Sequence, residues 1–331
     1  MIGRRAQLAA GMALVVASFG GGPARRPSSP PASTPAVQAG ALRITVLYDN
    51  TAADARLQEA WGFSALVEYR GHTLLMDAGA DPLILRRNMD SLGIAPSRIE
   101  AIVLTHAAGD HAAGLKALVD SRLRRPLYVL GAFPQRFRVA TRGKFALVDA
   151  APRQELIPGV FTTGEMMDPA VNIPEHEQSL VIPTDSGLVI ITGCAHPGVV
   201  SIVRRATEMF GGPVRLVLGG FHLIGKSTAE IRQIVSDFRG LGVRRVGATH
   251  CTGDPAIAQF AEAYGSDYVG TPLVTRSPPV PAASRPPRRG RSTPRGAPTR
   301  WPARTRRPAC RAREDGDSPA GSSSRAPPLP S

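Results

Sequence analysis

Three cysteines in 331 residues are too few to staple a scaffold, so an apolar core must hold the fold. Aromatic residues make up only 5% of the chain, and its one long apolar run lies within the first 22 residues. With no other stretch near the ~20 residues of a bilayer span, a polytopic membrane protein is excluded. Acidic residues are missing from the ends. The first 39 residues carry four Arg and no acid, and residues 276–331 carry thirteen Arg against three acids. Those two segments account for the whole formal charge of +14 and leave 40–275 neutral. Composition therefore gives no support to nucleic-acid binding through the core.

The ends read as appendages. Arg4 and Arg5 precede an apolar stretch over 8–19, shorter than a membrane span, and a Gly/Pro/Ser-rich segment then runs to residue 39. This is the pattern of a cleavable export signal, which predicts a periplasmic or extracellular mature protein with no stable membrane insertion. The alternative is a cytoplasmic protein with an extended N-terminus. Residues 276–331 are rich in Arg, Pro and Ser and almost devoid of large aliphatic side chains. They cannot bury enough surface to offset chain entropy, so a disordered tail is expected there. It is either a polyanion-binding segment or an extension without function.

Between them, 40–275 reads as one domain of alternating strands and helices. Alternation and β-branched content predict strands over 42–47, 63–69 and 73–76, the last two joined by the Arg70-Gly71 turn. Asp81-Pro82 marks a helix start, with Pro at the first helical position. A strand over 101–105 leads into a helix near 115–119, and 127–163 is mixed. A second hairpin pairs 180–183 with 188–192. A helix (199–210), a strand (214–218), a helix (228–241), a strand (243–248) and a helix (255–264) complete the reading. Two hairpin-containing halves suggest a pseudo-repeat, and such elements pack as layers with helices covering the outer sheet faces.

Four of the seven histidines directly follow apolar strand runs: His106, His196, His222 and His250. Sheet-based proteins gather ligands where rigid strands give way to loops, so four histidines in that position point to a metal rather than to packing. The densest cluster is THAAGDHAAGL (105–115), with two imidazoles and a carboxylate within six residues. That donor set suits zinc, iron or manganese. Cys194 and Cys251 border His196 and His250; each is either a soft ligand or a small buried residue at a strand end. Glu175-His176-Glu177, beside Pro174, reads as a solvated loop, with a lid over the site as the other option.

The cluster resembles the HxHxDH signature of the metallo-β-lactamase-fold hydrolases. LLMDAG (74–79), GCAHPG (193–198), GGFHL (219–223) and THCTG (249–253) extend the resemblance over most of 42–272. In that order they look most like the branch that includes the dihydropterin–ribofuranosylaminobenzene phosphate synthases. The resemblance implies a four-layer αββα sandwich with a metal site at one edge. Position by position, His106 and His196 match ligands of a first metal, and Asp110, His111 and His250 those of a second. Asp77 matches an aspartate that braces the metal loops. His222 stands where many relatives place a bridging carboxylate, and is either a ligand or a group acting on substrate. The second His of the signature is Ala108 here, whose methyl group cannot bind metal. One well-held metal is expected, with the second weak or absent.

The resemblance implies a divalent metal, zinc first with manganese or iron as alternatives. It further implies a hydrolase that turns metal-activated water on a small-molecule phosphoester, ester or lactone, with Asp110 and His222 as catalytic groups. A pterin-linked transferase is the alternative within the branch, and a non-catalytic metal- or ligand-binding member the alternative outside it. The sequence does not specify an oligomeric state.

Overall fold

The computed structural model describes residues 42–270 apart from 52–53, 121–123 and 171–174. The signal-like segment 1–39 and the tail 276–331, with Cys310, lie outside the described residues.

The first half of the domain builds one six-stranded sheet from β1 (Arg43–Tyr48), β2 (Ser64–Tyr69), β3 (His72–Met76), β4 (Ala101–Val103), β5 (Pro126–Val129) and β6 (Ala146–Asp149), ordered as in the sequence. The second half builds another from β7 (Glu155–Ile157), β8 (Val160–Thr162), β9 (Leu180–Thr184), β10 (Gly187–Thr192), β11 (Val214–Gly220) and β12 (Val246–Thr249). Each sheet begins with antiparallel hairpin pairings and ends with parallel ones, which agrees with the pseudo-repeat suggested by the two hairpins.

Six helices cover the outer faces: α1 (Pro82–Ser91), α2 (Gly109–Ala112), α3 (Gln135–Arg142), α4 (Val199–Phe210), α5 (Thr228–Gly240) and α6 (Asp254–Tyr264). The period-2 alternation of strand side chains assigns the layers. Leu74 and Met76 of β3 share the inter-sheet core with Val189 and Ile191 of β10 and Leu216 and Leu218 of β11. Leu75 turns the other way, into the cluster of Leu85 and Met89 from α1. Ile190 and Val217 likewise join Ile202 and Val203 of α4 and Phe238 of α5. The result is helix, sheet, sheet, helix, the αββα sandwich that the resemblance implies.

Local signals place the helices. Asp81 Oδ1 accepts from the backbone N–H of Leu83 (2.7 Å) and Ile84 (3.3 Å), with Pro82 opening α1. Ser227 and Glu230 form a reciprocal capping box at α5. Two expectations are corrected. The helix near 115–119 is a 3-10 helix, Ala113–Leu118, because Gly114 packs directly on the LLMDAG loop: a Cβ there would stand 1.9 Å from the Ala78 carbonyl oxygen. The last strand begins at Val246 rather than at 243, because the Val243 N–H closes the end of α5 by donating to the Phe238 carbonyl (2.9 Å). Among the described residues no helix is long and apolar enough to cross a membrane.

Candidate metal centre

The histidines lie at the C-terminal ends of parallel strands in both sheets. Thr105 and His106 follow β4, Asp110 and His111 belong to α2, and His196, His222 and His250 follow β10, β11 and β12. Their rings form a row, His222–His196–His106–His111–His250, with successive centroids 4.6, 4.7, 4.2 and 5.0 Å apart. Asp77 (φ 55°), Ala195 (63°), His222 (52°) and His250 (51°) all hold the left-handed conformation, four of the six described non-glycine residues that do so. Such backbone costs on the order of 1–3 kcal/mol each and persists where the surroundings over-determine it. Here it turns the chain sharply off the strand ends into the site.

Asp77 is fully buried and accepts three hydrogen bonds: from Thr105 N (2.7 Å), Thr105 Oγ1 (2.7 Å) and His111 Nδ1 (2.7 Å). With its hydroxyl hydrogen committed to Asp77, Thr105 Oγ1 in turn accepts from His106 Nδ1 (2.9 Å). His196 Nδ1 donates to Glu177 Oε2 (2.8 Å) and His250 Nδ1 to Asn50 Oδ1 (3.2 Å). Carboxylate and amide oxygens only accept, so each of these rings carries its proton on Nδ1. With Nδ1 so engaged, each ring has its Nε2 to offer a metal; that of His196 lies 3.2 Å from Glu175 Oε2.

Three of these donors converge. His111 Nε2 lies 3.2 Å from His250 Nε2, and Asp110 Oδ2 lies 3.8 and 3.5 Å from the two. Ligands ~2.0–2.1 Å from a tetrahedral zinc stand about 3.3 Å from one another, so the spacing fits. Two lone pairs and a carboxylate this close repel unless a cation lies among them. Burial opposes charge on His111, but Asp77 and Asp110 prevail and raise its pKa. Burial alone would raise the Asp110 pKa, yet His250 and His111 hold it well below the carboxylate range. His106 Nε2, buried and without a hydrogen-bond partner, is a further donor facing the site; burial holds its pKa down to about 4, so the ring is neutral at neutral pH. The residues present thus fit a divalent metal.

The structure brings together Asp110, His111 and His250 as one donor set, and His106 and His196 with Glu177 as another. Glu177 corrects the solvated-loop reading. It is fully buried, and its carboxylate accepts from the backbone N–H of Cys194, Ala195 and His196, each at 2.9 Å. It braces the GCAHPG loop much as Asp77 braces THAAGDH. Asp49 and Asn50, after β1, also escaped sequence reading: Thr249 Oγ1 donates to the buried Asp49, whose carboxyl burial pushes up to about 6, and Asn50 Nδ2 donates to the His250 carbonyl (3.1 Å). Trp61 donates from Nε1 to Asp110 Oδ2 (2.8 Å) and is half-exposed. Cys194 and Cys251 are buried free thiols; Cys194 Sγ is 3.2 Å from His111 Nε2. His222 is exposed at the end of the row, and its hydrogen bond with Cys251, which outweighs partial burial, raises its pKa.

A cleft of about 530 Å³ opens beside His250, walled by Trp61, Ile224 and Lys226 and floored by Thr252 and Gly253. Its exposed apolar walls, with Lys226 and Asp254 among them, suit a small molecule.

Comparison with known proteins bears on this arrangement. A model of the metallo-beta-lactamase superfamily matches residues 62–205. The chain is 30% identical over 257 residues to the 7,8-dihydropterin-6-methyl-4-(beta-D-ribofuranosyl)-aminobenzene-5'-phosphate synthase of Methanocaldococcus jannaschii, covering 62% of this chain and 86% of that protein. A second, uncharacterized protein of the same organism is 26% identical over 248 residues, covering 66% and 94%. The crystal structure of a metal-dependent hydrolase of the beta-lactamase superfamily superposes with a TM-score of 0.62 at 26% identity, covering 72% of this chain and 98% of that one. With the sandwich, the row of strand-end histidines and a relative matched over most of its length, this chain belongs to the metallo-beta-lactamase superfamily.

Proposed function

We propose that the protein is a metal-dependent hydrolase acting on a small phosphoester, ester or lactone, with zinc, manganese or iron held by Asp110, His111 and His250. The observation that carries this reading is that His250 is at once a donor of the compact three-residue set and a wall of the cleft. Substrate in the cleft therefore lies against the metal position. When bound, the metal supplies a Lewis acid that lowers the pKa of water towards neutrality.

The chain's own residues do the rest. Trp61 fixes Asp110 Oδ2 and lays its ring 5.0 Å from that of His250, excluding water from one side. Ile224 and Trp61 grip apolar parts of the substrate, while Lys226, paired with Glu230 Oε1 at 3.1 Å, and Asp254 set the charge at the cleft mouth. His222, expected from the sequence as a catalytic group, does not line this cleft. The test is turnover of a phosphodiester, ester and lactone panel by the full chain reconstituted with each metal. Metal-dependent turnover that falls at least ~10²-fold in Asp110→Ala is expected. Absence of turnover, or turnover indifferent to Asp110→Ala, rejects the reading.

Similarity to the named synthase, together with GCAHPG, GGFHL and THCTG in order, favours a second reading: transfer of a pterin methyl carbon to an aromatic ring with release of pyrophosphate. Pyrophosphate formation from those two substrates, without hydrolysis of the panel, would select it.

A further inference from the structure

Behind the imidazole row, three adjacent parallel strands deliver a different set of donors. Gly220 of β11 pairs with Thr249 of β12, and two residues beyond them stand His222 and Cys251. Thr192 of β10 pairs with Gly219 of β11, and two residues beyond Thr192 stands Cys194. The register thus brings Cys194, His222 and Cys251 to within one residue of the same level, and their ligating atoms lie within 4.8 Å of one another. Gly220 leaves the space for this: a Cβ there would fall 2.7 Å from Cys251 Sγ and 2.4 Å from the Gly193 carbonyl. Both thiols are buried, at 5% and 4% exposure, while His222 opens to solvent. Neither sulfur is in a disulfide, and neither is needed by the reaction proposed above.

Two thiols and one imidazole make a set of three protein donors, the number that leaves a fourth place open on zinc. Sulfur donors select zinc or iron over magnesium, calcium and manganese. We propose that Cys194, Cys251 and His222 form a second, thiolate-rich metal site, chemically distinct from the Asp110, His111 and His250 set. Each thiol loses its proton to solvent on coordination, with no change of oxidation state. The two sets meet where Cys194 Sγ approaches His111 Nε2 at 3.2 Å, so two metals would be neighbours. The pairing accounts for a chain with Ala108 in place of a signature histidine: the second metal is held by sulfur behind the row instead of by a third imidazole in the loop. The inference rests on the donors alone and not on the hydrolytic reading.

Cobalt tests it directly. The full chain carrying Cys310→Ser keeps only these two thiols. Stripped with chelator, held reduced by a phosphine and titrated with cobalt(II), it should bind about two equivalents, one for each set of three donors. A near-ultraviolet thiolate-to-cobalt charge-transfer band should accompany one of them. Cys251→Ser in that background should abolish or halve the band and lose one equivalent, with the fold checked by circular dichroism; Asp110→Ala should keep the band. A cobalt-saturated parent without the band overturns the proposal, whatever the variants do. A band that survives Cys194→Ser with Cys251→Ser overturns it too. Turnover without the band would leave the hydrolase standing and remove this site, and the band without turnover would do the reverse.

Discussion

Asp77→Asn changes one atom of the metal centre's support and should disable it through a proton. In the native protein Asp77 Oδ2 accepts from both His111 Nδ1 and Thr105 Oγ1, and Oδ1 accepts from Thr105 N. An amide of the same shape can keep its oxygen on Thr105 N, but its NH₂ then faces Thr105 Oγ1 and His111 Nδ1. The threonine hydroxyl can turn and accept. His111 Nδ1 can accept only by shedding its hydrogen, which moves to Nε2 and blocks the atom that faces Asp110 and His250. Loss of such an outer partner costs roughly 10- to 100-fold in metal affinity, or about 1.4–2.8 kcal/mol. The apoprotein loses two of three charge-assisted hydrogen bonds to a fully buried group, each worth about 1.5–3 kcal/mol, so destabilisation of about 3–6 kcal/mol is expected. Chelator competition gives the metal Kd, and urea unfolding in chelator gives the apoprotein stability. A folded Asp77→Asn protein with metal affinity within twofold of the parent would refute the tautomer argument.

Other expectations follow from single contacts. Ala108→His adds an imidazole in the loop beside His106; with the second metal held by sulfur, the variant should bind no more metal per chain than the parent, and an extra equivalent by elemental analysis would show a vacant three-ligand site instead. Gly114→Ala drives a Cβ to 1.9 Å from the Ala78 carbonyl, so the 3-10 helix must back away from the LLMDAG loop. A loss of about 1–3 kcal/mol is expected by urea titration, and a neutral substitution contradicts the packing. His106 titrates near 4 instead of 6.5 because burial opposes its charge, so the unfolded chain takes up that proton first as pH falls. Stability from this group is complete above pH 6.5 and lost towards pH 4, a fall of about 3 kcal/mol in the apoprotein measured against His106→Gln. A gap between the two that stays constant across that window rules out the assignment.

Much of the site was legible because strand ends are marked in the sequence. LLMDAG alternates inward and outward before Asp77, and four histidines follow apolar runs, so their shared edge could be read before the sheets were known. Asp81-Pro82 announced α1 by the chemistry of its cap. What escaped reading depends on partners distant in the chain. Glu177 looks like any charged loop residue, since the N–H groups it accepts from belong to residues 194–196. The helix near 115–119 became 3-10 because Gly114 meets the backbone of the loop after β3, a contact no local propensity encodes. Cys194 and Cys251 lie 57 residues apart, and only the parallel register of β10, β11 and β12 brings their sulfurs together.

The distribution of donors along the chain has a consequence for the life of the protein in synthesis. Sheet one is complete by Asp149, and with Thr105, Asp110 and His111 in place it is a contiguous unit able to form while later residues are still being added. His250 arrives only with the last strand, 139 residues after its partner His111. A nascent chain therefore cannot complete the Asp110, His111 and His250 set until β12 docks, and metal captured by that set is captured by a finished sandwich. Bound metal in turn favours only the state in which both halves are closed, by RT ln(1 + [M]/Kd). Metal starvation during expression should then accumulate chains nicked by protease within the segment that joins the two sheets, rather than chains that fail to fold their first half.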